Sequence, residues 1–580
     1  MASSVQKSFN LVDSPWVPVY MKDGTCTELS LHDLFAQMGD IESITTENRL
    51  IDLTTMRFLI AIIGRAMTRD IAHTVPWFKP GSDCVEVIRH MFASRDDVCA
   101  TTIAYLDAYH DRFDLFGDAP FMQVKDLGVP DKKQDDLTAL TKFIGGSDNK
   151  ADLHTECDVS VSGHIAYPEA ARLLIGLQGA DVTGIHSLAT NEIRDKSWKG
   201  LRIESGKFYG TGQTRGTVAA GCTTTIRAQN LWLELCHNFV FAEVSDTGEL
   251  GRHVRDFAND IPIWEREPLG WKYEPIGLRG TLDLFTYQSR RVRLFSKEDG
   301  YVTGSFVTYQ DGLDMDLYHR YETMSPFRLN DDLTWSTPSF TKSDLYIMDN
   351  IVDSFRDPTK DDGKSIARVI SWQGLVKEAI GVVGNPTRRG AATPVDVPIG
   401  IACSGAAYNR ATTLIRIISD DLVLSPLFWQ LDNNARAGIV RLYELILDIS
   451  QSVFGNIIER ELFLLHGHTI DKNYRTNNMR LIEREGYLML LDYFRERVLD
   501  ADNETDVLDE RTMADIRRIS MRYIDSRLQS TSTADIIGRK CEVKPHKKEW
   551  VSTATIESHA KAVLTIIMGK VMTRKEEQDA

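Results

Sequence analysis

Cysteine is scarce in this sequence, and its spacing excludes the metal and redox motifs built on closely spaced thiols. The 580 residues contain eight cysteines, and no two of them stand within four positions of each other. A C-x-x-C pair is therefore absent. We interpret the cysteines as buried or incidental thiols of a protein kept in a reducing compartment, and we expect neither a metal nor another cofactor.

Long apolar runs are also missing. The longest uninterrupted one covers residues 58–63, far short of the roughly 20 residues that a membrane-spanning helix needs. The first ten residues, MASSVQKSFN, lack the apolar segment of a secretory signal peptide. These absences predict a soluble, cytoplasmic protein without a membrane partner.

The motifs of the common enzyme classes do not occur. The sequence has no G-x-x-x-x-G-K-[ST], no H-E-x-x-H and no G-x-S-x-G. Gly210, Gly212 and Gly216 form G-x-G-x-x-x-G, one residue away from the dinucleotide-binding spacing, with no clear strand–helix–strand unit around them. We predict that the protein is not an enzyme and keep a hydrolase as the minority alternative.

Two pairs of potential metal ligands have simpler interpretations. His466 and His468 lie at a predicted helix end, without a nearby cysteine or second histidine pair. Asp314 and Asp316 are an isolated acidic doublet. We predict a capping or exposed role for the histidines and a solvated loop for the aspartates.

The N-terminal part of the chain mixes strand and helix patterns. Asp23-Gly24 supplies turn residues after an extended stretch over 17–21, which predicts a hairpin. Residues 48–69 carry apolar side chains every three or four positions and predict a helix. Residues 225–242 predict a further helix, and residues 280–310 predict strands.

The pattern changes near residue 433. Four amphipathic segments of about 20 residues follow one another, at 439–462, 477–501, 507–529 and 553–573. We therefore predict an α+β fold, with a large mixed, loop-rich N-terminal domain over 1–432. A C-terminal antiparallel four-helix bundle follows over 433–580.

The net charge is strongly negative, but the positive charges are clustered. The 67 Lys and Arg stand against 83 Asp and Glu, a net charge of −16, which argues against a surface that binds nucleic acid everywhere. Residues 194–227 nonetheless hold seven basic residues against two acidic ones, together with six glycines, and residues 363–391 carry a net charge of +4. Glycine lets the main chain approach a ligand, and Lys and Arg neutralise phosphates. These clusters predict contact with nucleic acid, with solvated loops as the alternative.

A third basic patch lies on a predicted strand and consists of Arg290, Arg291 and Arg293. Side-chain alternation places Arg291 and Arg293 on one face and Arg290 on the other. Only part of this patch is therefore expected to face one ligand. Trp16 and Phe121 are conspicuous aromatic residues for which we predict a place in the core.

Several short segments resemble one known family when they are taken together and in order. They are FNLVDSPWVPV at 9–19, FGDAPFMQV at 116–124, the glycine-rich run that ends in TTTIR at 227, LDLFTYQSRRVRLF at 282–295 and SWQGL at 371–375. In this order, and with a helical C-terminal bundle, they resemble the large subunit of the type I-E CRISPR Cascade effector. The resemblance covers essentially the whole chain.

The resemblance implies a non-catalytic subunit of a crRNA-guided surveillance complex. Such a subunit recognises the protospacer-adjacent motif (PAM) of invading double-stranded DNA through the minor groove. It helps to open the duplex for R-loop formation and helps to recruit a helicase-nuclease. The implied partners are the other Cascade subunits, the crRNA, target DNA that carries the motif, and that helicase-nuclease. Base pairing carries sequence specificity in such complexes, so the protein needs only a short duplex signal.

The resemblance also implies which residues make these contacts. The glycine loop that enters the minor groove corresponds to Gly206, Lys207, Gly210, Gly212, Arg215 and Gly216. The wedge hairpin that separates the strands corresponds to Trp372, Gln373 and Gly374. By order along the chain, a basic finger corresponds to Arg328. A loop that contacts the crRNA and neighbouring subunits corresponds to Lys142, Phe143, Gly145, Gly146 and Asn149. Some relatives hold zinc with paired C-x-x-C cysteines, which this chain lacks, so no metal is expected.

One alternative of a different class stays open. An RNA-binding or protein-docking scaffold subunit, without its own reading of a DNA motif, would have the same basic segments and the same helical bundle. Motif-dependent binding to duplex DNA separates the two hypotheses.

Overall fold

The computed structural model has the mixed helix and strand content predicted from the sequence. It describes residues 7–69, 75–141, 143, 163–181, 186–187, 189–191, 201–204, 207–210, 216–219, 221–245, 249–271, 277–297, 299–310, 314–332, 334–338, 347–356, 364–380, 399–409, 413–424, 428, 431–466, 472–503, 506–529, 533–544 and 547–579. The chain divides into two compact units. The first comprises Met1–Ile351 and Asp361–Asp421, and the second comprises Val352–Lys360 and Leu422–Ala580.

Helices occur throughout the described residues. Up to residue 380 they span Leu31–Ala36, Arg49–Thr68, Cys84–Ala93, Arg95–Ala108, Thr138–Thr141, Tyr167–Ala180, Leu231–Asn238, Thr281–Phe285, Met315–Tyr321, Met348–Asp353 and Arg368–Ile380. After residue 432 they span Asn433–Ile449, Gly455–His466, Lys472–Leu499, Glu510–Gln529, Thr533–Ile537 and Thr553–Asp579. None of these helices combines the length and hydropathy that crossing a membrane requires.

The strands form several small sheets. In one three-stranded sheet, the middle strand Val17–Met21 lies between Cys26–Leu29 and Ile41–Ile44. In a second, Ile399–Asn409 lies between Thr413–Leu424 and Thr223–Arg227. In a third, Phe327–Leu329 lies between Trp335–Ser336 and Lys364–Ser365. The two-stranded pairs are Ile165–Ala166 with Tyr301–Val302, Leu201–Glu204 with Lys207–Gly210, Ala242–Val244 with Leu250–Val254, Arg290–Phe295 with Gly304–Tyr309, and Arg539–Lys544 with Lys547–Val551.

The core of the first unit is built around the helix Arg49–Thr68, as its apolar periodicity predicts. The Asn48 side chain caps this helix by accepting hydrogen bonds from the backbone N–H groups of the first turn. The helix is buried along nearly its whole length. Its Phe58 makes edge-to-face ring contacts with Trp16 and Phe121, at centroid distances of 6.1 and 5.7 Å. The predicted core positions of Trp16 and Phe121 are thereby confirmed.

Local turn chemistry at the N-terminus was also predicted correctly. The strands Val17–Met21 and Cys26–Leu29 pair antiparallel, and Gly24 in the connection has a φ of 87°, a left-handed conformation that favours glycine. Two other predictions were wrong in part. Residues 223–227 form a strand before the helix Leu231–Asn238, and residues 281–285 form a short helix before the strand Arg290–Phe295. In the first segment, pairing with the strand Ile399–Asn409 outweighs local propensity.

The second unit contains the predicted four-helix bundle. The first bundle helix runs from residue 433 to 466, with a π-helical segment at Ser450–Phe454. Tyr443 contacts Phe494 of the next long helix, whereas Phe454, one helical stretch later, lies beside Gly486. A later residue of the first helix thus contacts an earlier residue of the second, so these two helices are antiparallel. The helices Glu510–Gln529 and Thr553–Asp579 complete the bundle.

Candidate nucleic-acid interface

The predicted glycine loop begins as a short β-hairpin. Leu201–Glu204 pairs antiparallel with Lys207–Gly210, so Lys207 stands directly after the turn and Gly210 ends the second strand. Gly206, Gly212 and Arg215 lie outside the described residues.

Gly216, at the end of this loop, is required by packing within the protein. Its N–H donates to the carbonyl oxygen of Asp181 at 2.8 Å, and the N–H of Val218 donates to the carbonyl oxygen of Gly179 at 2.7 Å. A Cβ atom on Gly216 would collide with the backbone of Gly179. The close approach that this glycine permits is to the C-terminal end of the helix Tyr167–Ala180 and not to open solvent.

A buried ion pair holds that helix end in place. The Arg290 Nε lies 2.5 Å from Asp181 Oδ2, and His186 Nε2 lies 3.3 Å from the same oxygen, with all three side chains almost fully buried. The neighbouring Arg291 is buried as well, and its Nε donates to the carbonyl oxygen of Tyr309 at 2.8 Å. Arg290 and Arg291 thus hold the protein together internally.

The prediction that this third basic patch contacts nucleic acid is therefore wrong for Arg290 and Arg291. Arg293 donates from Nη1 to the carbonyl oxygen of Leu127 at 2.9 Å and lies over the ring of Phe295. Alternation along the strand separates the side chains, as expected, but both faces of this part of the strand are covered by protein.

The segment that follows the glycine loop lies beside the predicted basic finger. The Tyr318 hydroxyl donates to the carbonyl oxygen of Thr217 at 2.8 Å, and the N–H of Thr224 donates to that of Met324 at 2.6 Å. A Cβ atom on Gly221 would collide with the side chain of Thr337. These contacts place residues 217–224 against the segment 318–337, about 100 positions later in the chain.

Arg328 lies exposed on the middle strand of the small sheet in this second segment. Its backbone is in register with Ser336 on one side and with Lys364, from the second basic cluster, on the other. The hydrogen bond to Cys403 and burial raise the pKa of the Cys222 thiol well above its ordinary value, while the positive charge of Arg328 acts in the opposite direction. The strand that carries Arg328 begins three residues after Met324, the hydrogen-bond partner of Thr224. We call Arg328 and Lys364, on neighbouring strands of this sheet, the basic sheet site.

Arg368, another basic residue of the 363–391 cluster, lies inside the protein. Arg368 is buried, and its Nη1 donates to the carbonyl oxygens of His319 and Glu322, both at 2.7 Å. Burial lowers the pKa of this guanidinium to about 10. Arg368 thus satisfies the last carbonyl groups of the helix Met315–Tyr321, which is a structural role.

The predicted wedge residues do not form a hairpin. Trp372, Gln373 and Gly374 lie within the α-helix Arg368–Ile380, and both large side chains are buried. The Trp372 ring packs edge-on against Phe241 at 4.7 Å. Gly374 is exposed, and a side chain there would meet open space. The hairpin assignment is therefore corrected to a helix.

Gln373 is held by three hydrogen bonds. Its Oε1 lies 2.7 Å from His237 Nδ1, and its Nε2 donates to the carbonyl oxygens of His237 and Val369 at 3.0 and 2.9 Å. Burial lowers the pKa of His237 to about 4, so the ring is neutral at pH 7 and Nδ1–H is the donor to the amide oxygen. This network assigns Gln373 to the core in this conformation.

The loop assigned to crRNA and subunit contacts is described at one residue. Phe143 is buried, and its ring occupies the space beside Gly176, where a Cβ atom would lie 2.9 Å from Phe143 Cζ. The Phe143 side chain is thus a core residue, which corrects its assignment as a contact residue. Lys142, Gly145, Gly146 and Asn149 lie outside the described residues.

The candidate metal ligands have other roles. Asp314 Oδ1 accepts from the N–H groups of Asp316 and Leu317 and caps the helix that follows. His466 ends a helix, and His468 lies outside the described part of the chain. Within that part, no three His, Cys, Asp or Glu residues are grouped so as to hold a metal ion, and the seven cysteines it includes are free thiols.

Comparison with known proteins gives a consistent family match. The family model of CRISPR-associated protein Cse1 matches residues 10–452. The curated CRISPR-associated protein CasA/Cse1 of Thermus thermophilus is 26% identical over 331 residues. That match covers 54% of this chain and 54% of the relative, so the chain spans about half of the curated relative's length.

The fold is similar to solved structures over almost the whole chain. The crystal structure of Thermobifida fusca Cse1 superposes with a TM-score of 0.72 at 19% identity, covering 98% of this chain and 99% of that one. A chain of a structure titled CRISPR RNA-guided surveillance complex superposes with a TM-score of 0.62 at 15% identity, covering 96% and 100%. At these identities the structural matches establish similarity of fold.

Proposed function

The chain belongs to the CRISPR-associated Cse1 family, and from this premise we propose that it is the large subunit of a crRNA-guided Cascade surveillance complex. In this role it is non-catalytic and cytoplasmic. It recognises the protospacer-adjacent motif of double-stranded DNA through the minor groove, helps to open the duplex for R-loop formation, and helps to recruit the helicase-nuclease. Its other partners are the remaining Cascade subunits and the crRNA. The similarity to a chain of a surveillance complex supports this assembly.

One observation carries the DNA-reading part of the proposal. The basic sheet site places an exposed arginine on a strand whose neighbour carries Lys364 of the second basic cluster, in register with it. A narrow minor groove attracts an inserted arginine, and its base edges distinguish few base pairs. An exposed arginine on such a strand suits a reader that tolerates several related motifs.

The opening of the duplex is kept in the proposal, but Trp372 and Gln373 are not proposed as its wedge. Both side chains are buried, and Gln373 holds His237 through its amide. Exposing them would break the packing with Phe241 and leave His237 without that partner. The residues that separate the DNA strands therefore lie outside the helix Arg368–Ile380.

The proposal is tested by binding of the assembled complex to duplexes with and without the motif. We expect Arg328→Ala to weaken binding to the motif duplex about tenfold and to leave non-motif binding nearly unchanged, because groove contacts carry about 1–3 kcal/mol each. Arg328→Lys keeps the charge and should lose less. Arg517→Ala removes an exposed arginine of the bundle and is the matched control.

Two results would contradict the proposal. If Arg328→Ala leaves motif discrimination intact while the complex assembles normally, Arg328 does not read the motif. If the wild-type complex itself shows no motif discrimination that depends on this subunit, the scaffold alternative is correct. Turnover of nucleic acid by the isolated chain would instead favour a hydrolase.

A further inference from the structure

A basic β-hairpin with an exposed tryptophan projects from the bundle unit. It covers residues 538–551, GRKCEVKPHKKEWV, which carry five Lys or Arg against two Glu, a net charge of +3 within a chain of −16. Its strands are Arg539–Lys544 and Lys547–Val551. Basic charge next to an exposed aromatic ring is the combination that single-stranded nucleic-acid binders use.

The strand register places the exposed tryptophan of the hairpin and its buried residues on different faces. Lys540 stands opposite Trp550, and Glu542 stands opposite Lys548. Directly opposed residues share a face, as do residues two positions apart on one strand. Lys540, Glu542, Lys548 and Trp550 therefore lie on one face. Cys541 and Val551 lie on the other face and are buried.

The face with the two lysines is open to solvent. Trp550 is 57% exposed, which is unusual for so large an apolar side chain, and Lys540 and Lys548 are exposed too. In the part of the chain that the structure describes, no ion pair or hydrogen bond holds either lysine side chain. Two ammonium groups and the Glu542 carboxylate thus stand beside the exposed Trp550 ring, a net positive charge on this face.

The hairpin's other acidic residue, Glu549, is engaged by other cations. Lys547 Nζ lies 2.7 Å from its Oε1, and Arg460 Nη1 lies 3.7 Å from its Oε2. The hydrogen bond from Lys547 and the nearby positive charges lower the pKa of this carboxyl group. Glu549 also lies on the opposite face from Lys540 and Lys548, so it does not neutralise them.

The base of the hairpin is anchored to the unit. Gly538 has a φ of 78°, and a Cβ atom there would collide with the carbonyl oxygen of Val551. Glycine thus allows a sharp change of direction from the helix Thr533–Ile537 into the first strand. The burial of Cys541 and Val551 holds one face against the protein and presents the other as a defined surface.

We propose that this face binds single-stranded nucleic acid through Lys540, Lys548 and Trp550. Trp550 stacks on a base, and the two lysines, about 7 Å apart along the hairpin, contact neighbouring phosphates. The surface lies in a different unit from the basic sheet site and reads no duplex motif, so the inference goes beyond the proposed function. A displaced DNA strand and a guide RNA share this chemistry, and the experiment separates them.

The test uses the full-length protein and fluorescently labelled oligo(dT) and oligo(U) of about 15 nucleotides, followed by anisotropy over a salt series. We expect Trp550→Ala to weaken binding about tenfold, and Trp550→Phe to keep most of it because a ring remains. The double variant Lys540→Gln/Lys548→Gln should reduce the slope of log K against log salt by about 1.4, since each phosphate contact contributes about 0.7.

The matched control, Lys79→Gln/Lys570→Gln, removes two exposed lysines elsewhere and should leave that slope unchanged.

A larger loss with oligo(dT) identifies the DNA strand as the ligand, and a larger loss with oligo(U) identifies RNA. Unchanged oligonucleotide binding in the hairpin variants overturns the proposal, as does an equal loss in the control. If those variants instead impair only assembly with other subunits, the hairpin is a protein-docking surface. Because the probes carry no motif, failure of motif recognition leaves this test unaffected.

Discussion

Two basic β-hairpins in this chain use their charges in opposite ways. In the first unit, Arg290–Phe295 pairs with Gly304–Tyr309 and has its first two arginines buried. In the second unit, the strands of 539–551 have Lys540 and Lys548 exposed around a half-exposed Trp550. Both read as positively charged strands in the sequence. Local charge therefore does not show whether that charge is available to a ligand.

The difference lies in the acceptors that surround each hairpin. Arg290 meets the carboxylate of Asp181, and Arg291 meets the carbonyl oxygens of Tyr309 and Trp271. The planar guanidinium, with five donors, is suited to such buried recognition, whereas the ammonium of lysine is more strongly hydrated. A strand in which arginines alternate with Val and Leu can thus belong to the core, whereas the lysines of the second hairpin stay in solvent.

The largest expected effect comes from removing the buried arginine. We expect Arg290→Ala to destabilise the first unit by about 4 kcal/mol, because the Asp181 carboxylate would remain buried without its cation. Thermal unfolding followed by circular dichroism measures the change. The double variant Arg290→Met/Asp181→Leu removes both charges and should recover most of the loss. If Arg290→Ala and wild type unfold at the same temperature, the Arg290–Asp181 ion pair does not stabilise the first unit.

Trp372 of the first unit and Trp550 of the second should differ strongly in how much they stabilise the protein. Trp372→Ala empties a fully buried site against Phe241, and we expect a loss of about 3 kcal/mol or more in the free energy of unfolding. Trp550→Ala removes an exposed ring and should change stability by less than about 0.5 kcal/mol. Differential scanning calorimetry of both variants decides the matter, and a stable Trp372→Ala protein would argue that this helix is not part of the core.

The buried histidine of the first unit predicts a pH dependence of its stability. The pKa of His237 falls from 6.5 to about 4 on burial, so the folded state disfavours its charged form. Its contribution to stability is complete above pH 6.5 and is lost as the pH falls towards 4, about 3 kcal/mol in all.

This pH effect is measured by comparing unfolding temperatures of wild type and His237→Gln from pH 7.5 to pH 4. We expect the variant to be less stable at pH 7.5 and to lose less stability on acidification. Lys540→Gln/Lys548→Gln is the control, which should follow the wild-type curve. Parallel curves for wild type and His237→Gln would mean that His237 does not titrate between the folded and unfolded states.

Local patterns were sufficient for much of the fold. Apolar periodicity placed the core helix Arg49–Thr68 and the long helices of the bundle within a few residues, because that signal depends only on neighbouring positions. Turn residues located the hairpin around Gly24. At 371–375 the family resemblance implied a hairpin, whereas these residues lie within an α-helix whose Trp372 and Gln373 are buried.

The candidate site was only partly predictable. Arg328 was placed by its order in the chain, and the structure adds that its backbone is in register with Lys364. Gly216 was predicted to approach a ligand, yet its main chain approaches Gly179. The signal for the 539–551 hairpin was present in the sequence as a net charge of +3 around a tryptophan, but its exposure was not.

The sequence by itself determined the fold class, the family resemblance and the scarcity of metal-binding motifs, since these follow from composition, periodicity and short segments in order. Only the tertiary structure decided which positive charges face solvent. A guanidinium is buried or exposed according to the carboxylate and carbonyl oxygens that distant parts of the chain bring to it, as Asp181 is brought to Arg290. Those partners are more than 100 positions away, and no local pattern contains them.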